Sequence, residues 1–559
     1  MLKTCRRHFL QSTSNTARAW RVNNGYTTTS IQPAWRSHDT RRSRFFATSQ
    51  SFRHDLTTTI TAPNGHTYDQ PTGLFINNAF VPSSTSTFQA IDPTTSTPII
   101  TVQSAEHTDV SSAVSSAFAA FTAPSWQEQD PTARRDLLLT LASLISTHTA
   151  TLATIESLDT GKSYQSSLYD VSDAIATLRY YAGWADKLTG SLHNLGSSKL
   201  AYTVREPLGV CALITPYNYP LCSAVWKLAP AIAAGNAVII KPSEHTSLST
   251  LYLASLAREA GFPAGILSVL PGPGSITGAA LAAHPDINKI AFTGSTRTAQ
   301  LVMSAAASST LKALTLETGG KSPLLVFEDA DIEQAVRWAY AGVFENSGQI
   351  CTSTARMLVA ESVYDAFLDE LVRYTRSMAK VGSPWREETT MGPLVVREGV
   401  ERVRRMVKEG LQQGGRLVLG GDDDSSVDMD IAGHETGHWV SPHIFTHVPD
   451  TSPLAREEIF GPVAIVCTPF KTEEEAVTRA NDTQYGLGAA VFTRDIGRAH
   501  RVARRIRAGM VWVNSSQDCD PRVPFGGVKM SGVGRELGEE GIRAYSQEKA
   551  VHLNLGMEL

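Results

Sequence analysis

The sequence lacks most of the features that would assign a chain of 559 residues quickly. Its six cysteines, Cys5, Cys211, Cys222, Cys351, Cys467 and Cys519, are scattered and form no CxxC pair, so neither a disulfide framework nor a metal site is predicted. No apolar run reaches the roughly 18 residues of a membrane-spanning helix, so no membrane partner is expected. The formal net charge is only −4, which gives no whole-chain reason to expect nucleic acid. The dinucleotide fingerprint GxGxxG is missing; Gly272-Pro273-Gly274 with Gly278 is a looser glycine turn. No internal repeat and no long linker stand out. What remains is ordinary globular material, 42% hydrophobic and 19% charged, in a chain long enough for more than one domain.

The small net charge hides an asymmetry. Residues 1–55 are rich in arginine, serine and threonine, and Asp39 is the one acid before Arg53. A basic, hydroxylated, acid-poor segment of this kind is the composition of a mitochondrial transit peptide, so import into the matrix is expected, with Arg42-Ser43-Arg44-Phe45-Phe46 as the processing region. The body is net acidic, which argues against a nucleic-acid or membrane-surface protein driven by those arginines.

Along the body, helical and strand patterns alternate as they do in α/β folds. Asp130-Pro131-Thr132-Ala133 opens a helix in which Leu137, Leu138, Leu141 and Leu144 share a face. Leu208 to Ile214 and Ala237 to Ile240 are continuous apolar runs of the buried parallel kind, separated by a helical stretch from Ala224 to Ala234. Leu267 to Leu270 and Ile290 to Thr293 are shorter strand candidates that end in glycine-containing turns. Repeated strand–loop–helix units of this kind predict a Rossmann-like sheet with chemistry at the strand ends. Asp331 starts a further helix with Gln334 as capping-box partner, and Ile332, Val336, Ala339 and Val343 form its apolar stripe. The acidic stretch from Gly420 to Gly437 has no periodicity and reads as a surface loop.

Seven segments, in order and spacing, carry a family resemblance. They are Pro216-Tyr217-Asn218-Tyr219-Pro220, Lys241-Pro242-Ser243-Glu244, Phe292-Thr293-Gly294-Ser295, Leu316-Glu317-Thr318-Gly319-Gly320-Lys321, Gly348-Gln349-Ile350-Cys351, Glu458-Ile459-Phe460-Gly461-Pro462, and Pro524 to Lys529 running on to Gly538. Together they resemble the aldehyde dehydrogenase superfamily from about Gly73 onward, closest to its hydrolytic general, betaine- and aminoaldehyde group. The resemblance implies a Rossmann-like NAD-binding domain at 56–188 and 208–319 and an α/β catalytic domain at 320–530. It also implies a small β-extension made of 189–207 and a C-terminal strand near 546–555, within a C-terminal segment 531–559, and such extensions pair subunits into a homodimer or homotetramer.

It implies roles as well. Cys351, after a glycine-containing loop, is the nucleophile, as the thiolate chemistry of aldehyde oxidation needs. Asn218 and the Cys351 backbone N–H are oxyanion donors. Glu317 is the general base for thiol and water; relatives that acylate coenzyme A lack it, and a non-catalytic protein on the same scaffold would lack it or Cys351. Lys227 and Glu536 resemble a proton-relay pair. For the cofactor, Lys241, Ser243 and Glu244 resemble the adenosine-ribose site, Gly274, Gly294 and Ser295 the pyrophosphate turns, and Glu458 and Phe460 the nicotinamide side. A carboxylate at Glu244 accepts from a 2′-hydroxyl and repels a 2′-phosphate, so NAD is expected over NADP.

The resemblance implies an aldehyde substrate, and the residues expected to line its tunnel are Asp170, Asp173, Trp226, Ile350, Thr352, Ser516, Gln517, Cys519 and Phe525. Asp170 and Asp173, three apart on one helix face, resemble the acidic pair of betaine- and aminoaldehyde dehydrogenases. Trp226, Trp512 and Tyr219 offer aromatic faces to a quaternary ammonium. The expectation therefore leans to a cationic aldehyde, with a general aliphatic aldehyde as the alternative and a wet helix face as the alternative role of the two aspartates.

Overall fold

Apolar runs with no polar alternation can only be buried on both faces, and that is where they lie. A computed structural model describes residues 56–421, 428–430 and 435–557; the expected import segment lies outside the described residues. The strands Val210–Ile214 and Ala237–Lys241 are buried throughout. They sit inside an eight-stranded sheet whose five central strands, Ala313–Glu317, Lys289–Thr293, Val210–Ile214, Ala237–Lys241 and Leu267–Val269, run parallel in that spatial order. Chain order reverses between Val210–Ile214 and Lys289–Thr293. In open α/β sheets such a switch point opens a crevice beyond the carboxyl ends of the strands. Ile214, Lys241, Thr293 and Glu317 are the last residues of four of these strands, so the motifs that follow them converge there.

The helix Pro220–Ala233 connects Val210–Ile214 to Ala237–Lys241 with nearly every side chain buried. Pro220 at its first turn costs no hydrogen bond. The helix Pro131–Thr147 opens as its sequence requires, with Asp130 accepting from the Thr132 N–H; Leu138 and Leu141 are buried and Leu137 and Leu144 pack partly buried against the core.

A second sheet of seven strands holds Pro323–Val326, Arg356–Val359, Val463–Cys467 and Gly488–Phe492 at its centre, parallel to one another. The third sheet is small: Ser546–Asn554 pairs antiparallel along the whole of Lys199–Pro207, which pairs with Leu192–Asn194.

Ahead of that C-terminal strand, Gly532–Val533 adds an antiparallel edge to the first sheet beside Leu316 and Glu317, and Tyr181 Oη donates to the Gly538 carbonyl (3.0 Å). Two expectations are corrected. The capping box at Asp331 is half made: Asp331 accepts from the Gln334 N–H (3.1 Å), but the Gln334 side chain reaches the Asn514 carbonyl instead. The acidic stretch is not wholly loop, because Asp428–Asp430 forms a short strand parallel to Lys380–Gly382. A short polar segment takes a strand when a partner edge is at hand, and nothing in its own pattern reveals that edge.

Candidate active site

Cys351 lies where the first and second sheets meet, partly exposed, at the end of a contorted loop. Asn346, Ser347 and Gly348 all have positive φ (48°, 54° and 76°). A Cβ on Gly348 would sit 2.2 Å from the Gly461 carbonyl carbon, so only glycine lets the two loops approach. Hydrogen bonds hold the two strained side chains: Ser347 Oγ donates to the Gly392 carbonyl (2.7 Å), and Asn346 Nδ2 donates to the carbonyls of Asn218 (3.1 Å) and Gln349 (3.3 Å). Backbone strain over-determined in this way is characteristic of positions that fix a reacting group.

Glu317 ends its strand fully buried beside the Cys351 thiol, within hydrogen-bonding reach of it, and its Oε1 has no hydrogen-bond partner. Burial pushes the Glu317 carboxyl up to about 8. Burial, and then the neighbouring Glu317, push the Cys351 thiol well above its ordinary range. Near neutral pH both groups therefore hold their protons, and ionising one makes ionising the other harder.

Asn218 is 5% exposed, and its Nδ2 donates to the Gln349 carbonyl at 2.8 Å, two residues before Cys351. A carboxamide has two N–H donors, so one is spent on this anchor and the second is available to an oxygen. Lys227 is fully buried in the helix Pro220–Ala233, 2.6 Å from Glu536 and donating to Thr293 Oγ1 at 2.8 Å. Both charges bear on Glu317.

At the neighbouring strand ends, Lys241 Nζ lies 3.2 Å from Glu244 Oε2 and donates to the Pro242 carbonyl at 3.0 Å. Glu244 Oε1 accepts from the Gly274 N–H (3.1 Å), and a Cβ on Gly274 would meet nothing within 4 Å. A half-buried carboxylate beside a bare glycine turn suits a ribose, which needs an acceptor for its hydroxyls and room beside the backbone. Ser243 Oγ accepts from the His245 N–H (3.2 Å), a local turn contact. Ser295 caps the helix Thr296–Ser309, accepting from the Thr298 N–H, and this leaves the open N-terminus behind Gly294 facing the same crevice. Glu458 Oε1 accepts from the Gly320 N–H (3.3 Å), and burial pushes its carboxyl up to about 7. Phe460, at φ 56°, meets Tyr217 edge-on with ring centroids 5.7 Å apart.

The tunnel residues do not all play the expected part. Trp226 packs edge-on against Phe525 (5.1 Å), and Ile350 and Thr352 are buried beside Cys351. Thr352 Oγ1 donates to the Gln517 carboxamide oxygen, while Ser516 is fully buried against Thr354 and lines nothing. Cys519 is exposed and close enough to Cys351 to raise its thiol further. Asp170 is a correction: its carboxyl lies 2.5 Å from Lys162 Nζ in a buried pair and is not a free charge. Tyr219 is another, since Lys162 Nζ sits 4.1 Å from its ring centroid and takes the aromatic face. Asp173 accepts from Trp226 Nε1 at 2.6 Å, and burial raises its carboxyl above the usual range. Neither aspartate is a wet surface charge. Sequence reading missed Lys162, Gln349 and Asn346 as parts of the site. The one available signal was Gly161, a left-handed helix cap (φ 75°) that turns Lys162 inward.

Comparison with known proteins agrees with this geometry. Residues 80–551 match the aldehyde dehydrogenase family model. Aldehyde dehydrogenase 1 (NAD(P)+) of Saccharomyces cerevisiae is 46% identical over 88% of this chain and 96% of its own length. The NAD+ complex of an aldehyde dehydrogenase from Bacillus cereus superposes with a TM-score of 0.83 at 40% identity, covering 87% of this chain and 97% of that one. Betaine aldehyde dehydrogenase from Staphylococcus aureus, also with NAD+, gives 0.83 at 34% identity, covering 88% and 96%. With the crevice at the switch point and a thiol set beside a buried carboxyl, these matches make the chain a member of the aldehyde dehydrogenase family, an oxidoreductase that uses NAD to oxidise an aldehyde.

Proposed function

We propose that the chain converts neutral aldehydes to carboxylic acids through a thioester on Cys351. The observation that carries this reading is the partly exposed Cys351 thiol set against the fully buried Glu317 carboxyl, with the Asn218 amide anchored beside it. Ionised Glu317 takes the thiol proton, and the sulfur adds to the aldehyde carbon. The oxygen that becomes negative meets the free Asn218 N–H and the Cys351 backbone N–H. Collapse of the adduct breaks the C–H bond and leaves a thioester. NAD, when bound, supplies the acceptor for the hydride. Glu317 then takes a proton from water, whose oxygen attacks the thioester, and the acid leaves with Cys351 restored as thiol. The buried Lys227–Glu536 pair gives the Glu317 proton a polar route away from the site.

The cofactor side has its own test. Glu244→Ala removes the acceptor for a 2′-hydroxyl and the charge that repels a 2′-phosphate. The ratio of kcat/KM for NADP over NAD is expected to rise about tenfold or more, a change of roughly 1.4 kcal/mol. An unchanged ratio would place cofactor selection elsewhere.

Neutral substrates are favoured because the acidic pair is not free to meet a cation: Asp170 is paired with Lys162, one face of the Tyr219 ring is covered by the same ammonium, and Asp173 is held by a hydrogen bond from Trp226 Nε1. The cationic reading keeps one observation, that Asp173 is free of any lysine or arginine partner among the described residues. Hexanal and betaine aldehyde, compared by NADH formation on the protein without residues 1–55, separate the two. Hexanal is expected to show the higher kcat/KM, with Asp173→Asn changing it by less than about threefold. A preference for betaine aldehyde that Asp173→Asn abolishes would establish the cationic reading instead.

Two wider proposals follow the same logic. The basic composition of residues 1–55 supports import into the mitochondrial matrix, tested by fusing that segment to a fluorescent protein. The small sheet of Lys199–Pro207 and Ser546–Asn554 leaves Leu192 and Leu553 exposed, which supports self-association through it; light scattering distinguishes monomer, dimer and tetramer.

A further inference from the structure

Behind the Asn218 loop lies a buried charged cluster that the chemistry above does not use. Lys162 is 3% exposed. Its ammonium makes three contacts: Asp170 Oδ2 at 2.5 Å, the Asn218 backbone carbonyl at 3.0 Å and the Tyr219 ring at 4.1 Å from the centroid. Glu156, fully buried, faces the same ammonium. A lysine in such surroundings is stable only when paired, and Asp170 is the pair. The backbone around it is fixed: a Cβ at Gly161 would meet the Pro393 ring at 2.6 Å, and the Tyr164 N–H is tied to the Pro384 carbonyl at 3.0 Å.

The Asn218 carbonyl is thus clamped from two sides, by Lys162 Nζ and by Asn346 Nδ2 at 3.1 Å. Asn346 belongs to the loop that ends in Cys351. Its Nδ2 is shared with the Gln349 carbonyl, the same oxygen that anchors the Asn218 side chain. Lys162, Asn218, Asn346 and Gln349 therefore form one closed network. Its outer end is an ion pair between Lys162, in the loop after the helix Thr149–Thr160, and Asp170 on the helix Tyr164–Ala182, and its inner end is the second N–H of Asn218.

We infer that Lys162, held by Asp170, is a positioning residue for the reaction: it fixes the Asn218 backbone and through it the side-chain amide that meets the developing oxyanion. This rests on the proposed role of Asn218. Substitutions at Asp170 therefore act on the rate of the chemical step for every aldehyde, cationic or neutral, and not on substrate choice.

The test is a double-mutant cycle in the full-length enzyme. Lys162→Met with Asp170→Asn and Glu156→Gln removes the ammonium together with both carboxyls that face it. It is measured alone and combined with Asn218→Ala, with hexanal as substrate. Alone, the pair removal is expected to lower kcat between about 10- and 100-fold, the cost of misplacing a catalytic group by an ångström or less. The KM for NAD and the melting temperature serve as readouts of a merely structural role and are expected to hold. In the Asn218→Ala background the same pair removal is expected to cost less than about twofold, because its target is already gone. Lys162→Arg, which keeps the charge but not the point contact, is expected to fall between wild type and the pair variant, and carries the same cycle if the pair variant does not fold. Equal losses in both backgrounds, no loss in either, or a loss confined to the KM for NAD would overturn the inference. Full activity of Asn218→Ala on its own would instead overturn the oxyanion assignment beneath it.

Discussion

Cys351→Ala is expected to lower NADH formation by at least about 10^4-fold with every aldehyde, as loss of a covalent nucleophile does elsewhere. The size follows from the lack of a substitute among the described residues. Cys211, Cys222 and Cys467 are buried in the core, and burial pushes the Cys211 and Cys467 thiols up to about 12 and about 11. Cys519 is near, yet burial of its thiol, and then Asp173 and Asp518, push it up to about 12, and neither carboxylate is placed as Glu317 is. Cys519→Ala is accordingly expected to change kcat by less than about threefold. Steady-state NADH absorbance on both variants is the check. Residual activity in Cys351→Ala above about 1% of wild type would mean that another group forms the covalent bond or that none does.

Glu317→Gln is expected to separate the two halves of the reaction. The variant keeps the shape of the side chain and loses the base. Acylation, for which the intrinsically nucleophilic thiol needs only a small ionised fraction, is expected to slow less than hydrolysis of the thioester, for which water has no other base. The result is a burst of one NADH per active site followed by turnover about 10^2- to 10^4-fold below wild type, the range for loss of a general base. The pH profile carries the sign. Glu317 works as carboxylate, and its pKa is raised to about 8, so wild-type kcat rises with pH through that value and falls about tenfold per unit below it. In Glu317→Gln that limb is expected to disappear. A variant that shows no burst and keeps the limb would assign the base to another residue, Glu458 being the next buried carboxyl in the crevice.

Much of this was legible in the sequence, and particular residues show why. The runs at 210–214 and 237–241 had to be buried parallel strands, because no face of them is polar, and a parallel sheet puts its loops and its chemistry at one end. The strand ends placed the motifs that follow them at one edge, and the family resemblance then put Asn218, Lys241, Ser295 and Glu317 in one site. Gly348 was readable as a turn, though not that the turn would hold three consecutive left-handed residues against Gly461. Asp170 was misread for a physical reason. Helical spacing with Asp173 fixes which face a carboxylate shares and says nothing about what stands opposite, and Lys162 stands opposite Asp170 alone. The strand at 428–430 was missed in the same way, since its partner edge lies nearly fifty residues upstream at 380–382.

The central claim is that the aldehyde carbon is held on Cys351 as a thioester that waits on Glu317. The direct measurement is intact-protein and peptide mass spectrometry of Glu317→Gln quenched in acid after NADH release from hexanal and NAD. The account predicts one added acyl group per chain, its mass that of hexanoyl replacing a hydrogen, located on the peptide containing Cys351 and lost on treatment with hydroxylamine. An unmodified Cys351 peptide at the end of the burst, or an acyl group on any other residue, would contradict it.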